Sequence, residues 1–279
     1  MSEANRASTL SQVQAKYDQL RVDVAELGNL AVAFSGGVDS TLLLKVAHEE
    51  LGSNAVAITA RACTFPEREF EVTREFCEEN GIQQFVVDID PFSVEGFEDN
   101  PSNRCYLCKK YIFENIFEVA KEHGIEHVAE GSNLDDDLDY RPGHQAILEL
   151  GAISPLLNAG LTKDDIRIIS MSLGLETWDK PSFSCLATRF PYGEKLTLEK
   201  LDKVDKAEQV LFDAGFEQVR VRVHGDIARI EIMPVEMEDL VEPEQRKEVV
   251  EKFHDLGFKF VAMDLDAYRT GSMNATLDE

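Results

Sequence analysis

Between residues 30 and 131 short apolar runs alternate with stretches of helical periodicity, and this alternation most restricts the folds open to the chain. LAVAF (30–34), AVAIT (55–59), QQFVVDI (83–89) and HVAEG (127–131) read as strands. The segments between them, over about 41–51, 66–80 and 107–123, read as helices. In the first of these, Leu42, Leu43 and Val46 recur at helical spacing. An amphipathic helix over about 8–27 precedes the first strand. Strands alternating with helices predict an α/β fold with a doubly wound parallel sheet. Ligands of such sheets sit at the carboxyl ends of the strands.

At the carboxyl end of the first strand lies Ser35-Gly36-Gly37-Val38-Asp39-Ser40. A glycine-rich turn from strand to helix aims several backbone N–H groups, and the positive end of the helix dipole, at one point in space. Gly36 and Gly37 allow close backbone approach, and the Ser35 and Ser40 hydroxyls add donors for phosphate oxygens. The bland alternative is a glycine turn that only connects strand to helix. The pattern is neither GxGxxG nor GxxxxGK[ST], which removes the dinucleotide and common nucleotidase readings.

Composition limits the rest. The 279 residues suit one large domain or two smaller ones, and a hydrophobic content of 43% suffices for a core. With 53 acidic against 28 basic residues the formal net charge is −25, which argues against a protein that clamps nucleic-acid backbone. No apolar run approaches the ~20 residues that cross a bilayer, and the polar N-terminus lacks a secretory hydrophobic segment, so a cytoplasmic protein is expected. The five cysteines, Cys63, Cys77, Cys105, Cys108 and Cys185, are too few and odd in number for a disulfide framework. Cys105 and Cys108 form a C-x-x-C, and Cys185 stands far downstream. Three reduced cysteines, a zinc site, a redox dithiol or an iron-sulfur site with one open position all fit this spacing. Cys63 and Cys77 read as packing residues.

From about residue 190 the texture changes. A helix over 197–214 ends at Gly215, and VRVRVHGDIARIEI (219–232) alternates as a half-exposed strand pair with His224-Gly225-Asp226 as its turn. This predicts a small α+β domain, dividing the chain into residues 1–188 and 189–279. Arg220 and Arg222 share a strand face and suit either solvent or a phosphate or carboxylate. Glu208, Glu231 and Asp239 read as surface acids.

SGGVDS resembles the SGGxDS signature of the PP-loop ATP pyrophosphatases. Together with DYRPG (139–143), SCLATRFPYG (184–193), VRVRVHGDIARIEI and MDLDAYRTGSMN (263–274), it makes the whole chain resemble the LarE family of ATP-dependent sulfur transferases. That resemblance implies ATP cleavage between the α- and β-phosphates with Mg²⁺, adenylylation of the carboxylates of a pyridinium biscarboxylic acid mononucleotide, and their replacement by thiocarboxylates in nickel-pincer cofactor synthesis. Ser35, Gly36, Gly37, Asp39 and Ser40 would hold ATP, with Asp39 helping to hold Mg²⁺.

In the best-known members a single cysteine before RFPYG gives up its own sulfur. Aligned on RFPYG, that position is Ser184 here, and a hydroxyl cannot donate sulfur. Cys105, Cys108 and Cys185 resemble instead the subgroup in which three cysteines carry a four-iron, four-sulfur (4Fe-4S) cluster, whose open iron would present a sulfide nucleophile. By the same resemblance Lys109, Arg189, Arg220, Arg222 and Arg269 would contact the substrate, and Glu208, Glu231 and Asp239 would gather at an intersubunit metal site. Lys110, Asp139 and Arg141 are further candidate contacts. The family also implies a homo-oligomer with a hand-off to a nickel-inserting enzyme. The competing readings are an amidating ligase, a tRNA thiolase and a non-catalytic ATP-binding or zinc scaffold.

Overall fold

The computed structural model describes residues 3–138, 142–269 and 271–273. The chain divides into two compact units, the first comprising Met1–Ala62, Glu67–Asp90 and Cys105–Ser182, the second Cys63–Pro66, Pro91–Arg104 and Phe183–Glu279.

In the first unit, after helix α1 (Glu3–Ala25), strands β1 (Leu30–Ala33), β2 (Ala55–Ala62), β3 (Gln84–Ile89) and β4 (Val128–Ala129) form a sheet in the order β3-β2-β1-β4. Every pairing in it is parallel. Leu30, Ala31 and Val32 are wholly buried, as expected for a central strand covered on both faces. Helices α2 (Val38–Leu51), α3 (Glu67–Asn80) and α4 (Arg104–Glu122) connect the strands, and α5 (Pro142–Glu149), α6 (Pro155–Asn158) and α7 (Lys163–Ser172) follow β4. Leu42, Leu43, Leu44 and Val46 of α2 join Leu20 and Val24 of α1 and Ile166 and Ile169 of α7 in one apolar core. Such burial contributes roughly 1.5–3 kcal/mol per large aliphatic side chain.

Two boundaries differ from the sequence expectation. Helix α2 begins at Val38 rather than Thr41, which places Asp39 and Ser40 in its first turn. Helix α4 begins at Arg104 rather than 107, so Cys105 and Cys108 lie one turn apart on a helix instead of on a loop.

In the second unit, helix α8 (Leu198–Asp213) precedes β5 (Arg220–His224) and β6 (Ile227–Glu231), which form the expected antiparallel hairpin. Helices α9 (Met237–Val241) and α10 (Pro243–Asp255) lead to β7 (Phe260–Met263), which pairs parallel to β6. Two short excursions are stitched to the long C-terminal segment by backbone bonds. Leu186 N–H donates to the Thr64 carbonyl (2.8 Å), Gly193 N–H to Asn100 (2.9 Å) and Leu196 N–H to Glu98 (2.7 Å).

Candidate functional site

The first unit presents a loop whose shape follows from its glycines. Gly36 has φ +70°, a conformation glycine adopts without penalty, and a Cβ there would lie 3.0 Å from Thr73 Cγ2 on α3. Gly37 caps α2 with no side-chain hydrogen bond, so the first-turn N–H groups are left for an external acceptor. The Ser40 hydroxyl donates back to the Gly37 carbonyl (3.2 Å) and lies 3.2 Å from Ser35 Oγ, which keeps both hydroxyls beside those N–H groups. Behind them Gly131, just past β4, packs so closely that a Cβ would come within 3.0 Å of Ser40 N.

Asp39 is held by side chains that sequence reasoning did not find. Lys163, at the start of α7, forms an ion pair with Asp39 Oδ2, and Asn133 Nδ2 donates to Oδ1 (3.3 Å). Burial pushes the Asp39 carboxyl above its ordinary 3.8; Lys163 opposes that shift, while Asp136 adds to it. Lys180 donates to the Gly36 carbonyl (3.1 Å) and pairs with Glu69 (2.8 Å). The loop therefore has two ammonium groups within reach as well as an uncapped helix N-terminus. This combination binds an anion of several charges. The capping box of Thr162 and Asp165 marks where Lys163 begins a helix, but only the fold shows that this helix faces the loop.

Cys105 is partly exposed and Cys108 buried, and all five cysteines are thiols. Gly143 lets the start of α5 approach that turn of α4, because a Cβ there would meet Cys105 O at 3.3 Å and Lys109 Cγ at 2.9 Å. Lys109 and Lys110 are exposed on α4, with Lys109 Nζ 5.8 Å from the Phe113 ring centre. Asp139, Arg141 and the final Asn274 of the last motif lie outside the described residues. Cys77 is buried, and burial pushes its thiol up to about 12. Cys63 is exposed, contrary to the packing role expected of it, because it follows the end of β2.

The second unit brings Arg189, Arg220, Arg222, Glu208 and Glu231 into one buried network. Arg189 donates from Nε to Glu208 Oε1 (2.7 Å) and from Nη2 to Oε2 (2.9 Å); both side chains are fully buried. Its Nη1 reaches the Ser184 hydroxyl (2.7 Å), the Ser184 carbonyl (2.9 Å) and the Cys185 carbonyl (3.2 Å). Arg189 thus fixes the segment that carries Cys185. Burial alone would lower the Arg189 guanidinium and raise the Glu208 carboxyl, but each holds the other charged, so Arg189 moves up and Glu208 down.

Arg222 donates from Nε (3.1 Å) and Nη2 (2.9 Å) to Glu231 Oε2, and from Nη1 to the Thr188 carbonyl (3.0 Å). Arg220 donates to the Val219 carbonyl (2.7 Å) and lies 5.8 Å and 5.2 Å from the ring centres of Phe183 and Tyr268. Burial and the nearby Arg189 charge push its guanidinium down to about 10.

This overturns the expected half-exposed strand, since Arg220 and Arg222 are both buried. Glu208 and Glu231 are likewise buried rather than surface acids, and they have arginine partners in place of the metal the resemblance implied. Asp239 is exposed on α9, and Arg269 is exposed and paired with Asp266. Among the described residues no three or more His, Cys, Asp or Glu side chains gather as metal ligands. No helix there is long and apolar enough to cross a membrane.

Comparison with known proteins gives the family. No family model matches the chain. It is 36% identical over 269 residues, 96% of this chain and 97% of the other, to the pyridinium-3,5-bisthiocarboxylic acid mononucleotide synthase of Lactiplantibacillus plantarum. It is 41% identical over 265 residues, 95% of this chain and 99% of the other, to an uncharacterized protein of Synechocystis sp.. A more distant likeness, 27% over 214 residues covering 70% of this chain and 68% of the relative, is to a glutamine-hydrolyzing GMP synthase of Thermoplasma acidophilum. With the glycine loop at the end of β1 and this similarity along nearly its full length, the chain belongs to the LarE family of PP-loop, ATP-using enzymes.

Proposed function

We propose that the chain adenylylates the carboxylates of pyridinium-3,5-biscarboxylic acid mononucleotide with ATP and converts them to thiocarboxylates in nickel-pincer cofactor synthesis. The observation that carries this reading is the likeness, over 96% of the chain, to a synthase whose name states that product. The geometry of the loop supports the ATP half of it.

The polyphosphate would take the place prepared by the N–H groups at the start of α2, the hydroxyls of Ser35 and Ser40, and the ammonium groups of Lys163 and Lys180. Asp39 would hold Mg²⁺, which neutralises the phosphates as charge moves onto the leaving pyrophosphate. The substrate carboxylate then attacks the α-phosphate in line, and positioning supplies much of the rate. Pyrophosphate leaves, and the acyl adenylate carries a good leaving group in AMP. Arg220, Arg222, Arg269 and Lys109 are assigned to the substrate nucleotide. Arg189 acts through the main chain around Cys185, which it holds in place.

For the sulfur donor, Cys105 and Cys108 fit as a pair of thiolate ligands, one turn apart at the start of α4 with neither in a disulfide. Cys185 is assigned as the third ligand from the sequence. A 4Fe-4S cluster on these three would leave one iron open for sulfide, the species that displaces AMP. Ser184 donates no sulfur; its hydroxyl instead accepts from Arg189. A small-molecule substrate, a cytoplasmic setting that keeps the thiols reduced, a homo-oligomer and transfer of the product to a nickel-inserting enzyme complete the reading.

Pyrophosphate release measured with a panel of acceptors tests it. The pyridinium nucleotide should stimulate release and emerge as a thiocarboxylate. Stimulation by ammonia with amide formation, or by tRNA, would replace this function with one of the competing readings.

A further inference from the structure

Cys63 is the cysteine that the proposed chemistry leaves unused, and it stands beside the one that chemistry most needs. The residues that follow the two cysteines are joined directly, since Leu186 N–H donates to the Thr64 carbonyl at 2.8 Å. Main chains bonded in this way run about 5 Å apart, which lies within the ~4.4–6.8 Å between Cα atoms that a disulfide spans. The junction is firm, because Thr64 and Ala187 are fully buried and Leu186 nearly so. The thiols themselves are accessible, with Cys63 exposed and Cys185 partly so. Both belong to the second unit, so the pairing needs no movement between units.

We propose that Cys63 and Cys185 are a reversible disulfide pair, a modification site that closes when a low-molecular-weight disulfide rises and Cys185 bears no other ligand. In the first exchange the Cys63 thiolate attacks the small disulfide, forms a mixed disulfide and releases one small thiol. The Cys185 thiolate then attacks the Cys63 sulfur, forms the Cys63–Cys185 bond and expels the second thiol. The two cysteines lose two protons and two electrons, and the small disulfide is reduced to two thiols.

While closed, the pair withholds Cys185 from sulfur chemistry and protects it from irreversible oxidation. A reducing thiol reopens it. The consequence for activity rests on the role proposed for Cys185, whereas the bond itself does not.

The test uses the full chain, purified without air and free of iron, and titrated with oxidised glutathione. Remaining thiols are alkylated, and the protein is digested without reductant for mass spectrometry. The proposal expects a cross-linked peptide pair containing Cys63 and Cys185, removed by dithiothreitol. The Cys63→Ser variant should instead accumulate glutathione on Cys185. Glutathione on both cysteines of the unsubstituted protein, or a bond from Cys185 to Cys105 or Cys108, would overturn it. Iron uptake by the reduced protein is measured in parallel. A cross-link without iron uptake would sink the cluster and leave the pair standing, and iron uptake without the cross-link would do the reverse.

Discussion

Replacing Glu208 with glutamine tests whether this carboxylate serves as the counter-charge of a buried arginine. In the native protein Glu208 accepts three hydrogen bonds, two from Arg189 and one from the Val221 N–H (2.9 Å), and neither charged side chain touches solvent. In Glu208→Gln one of the two oxygens facing the guanidinium becomes an NH₂ group, so a donor meets a donor. The Arg189 charge also loses its partner in a region that already contains Arg220 and Arg222. Hydrogen bonds to charged groups contribute about 1.5–3 kcal/mol each, and breaking a buried pair from one side costs about 3–5 kcal/mol. With a urea m-value of about 2 kcal/mol/M, the midpoint of the transition that reports the second unit should fall by roughly 2 M.

The effect should also depend on pH in a definite direction. Arg189 holds the Glu208 carboxyl below its ordinary 4.5, so its stabilisation is fully present above that value and is lost as pH falls through the folded-state value. The difference between the native protein and the variant should therefore narrow in acid. A change under about 1 kcal/mol at unchanged m-value would refute the reasoning, because a buried unpaired arginine cannot be that cheap. A native midpoint that drops on addition of a chelator would restore Glu208 as a metal ligand.

Other outcomes follow from the loop and the cysteines. Gly36→Ala forces an L-residue to φ +70° and pushes a methyl group to 3.0 Å from Thr73; it should cost about 1–2 kcal/mol of stability and, by displacing the loop, slow pyrophosphate release roughly 100-fold. Lys163→Met should weaken ATP binding about 10- to 100-fold by calorimetry, the loss expected for one charge-assisted contact to phosphate, while leaving the fold intact by circular dichroism. Cys105→Ala should abolish thiocarboxylate formation and leave pyrophosphate release in place; loss of both would make Cys105 a structural residue.

The sheet and its loop are legible in the sequence because their signals are local. An apolar run such as LAVAF followed by Ser-Gly-Gly specifies strand, turn and helix start within about ten residues, and the loop's partners do not alter that. Lys163 and Lys180 leave no such trace, because a lysine carries the same local signature wherever it points, and only tertiary folding brings them to Asp39 and Gly36. Glu208 is the instructive miss. Its charged helix suggests a surface acid, yet it falls on the core-facing stripe of Leu201, Val204, Ala207 and Leu211. A carboxylate at a core position of helical spacing implies a buried cation, which points to an arginine elsewhere. Arg220 and Arg222 mislead for the complementary reason. Alternation with valines marks one face as polar, but their carboxylate partners lie on β6 and α8 and are beyond the reach of a local pattern.

The central claim is that this chain moves sulfur onto an ATP-activated carboxylate, and tracing the sulfur tests it most directly. The anaerobic protein is given the pyridinium nucleotide, ATP, Mg²⁺, iron and isotopically heavy sulfide, and both product and protein are weighed by mass spectrometry over several turnovers. The account predicts heavy sulfur in the thiocarboxylate, one pyrophosphate released per sulfur incorporated, and a polypeptide of unchanged mass. Product free of the heavy label, together with loss of the elements of H₂S from the protein at Cys185, would contradict it.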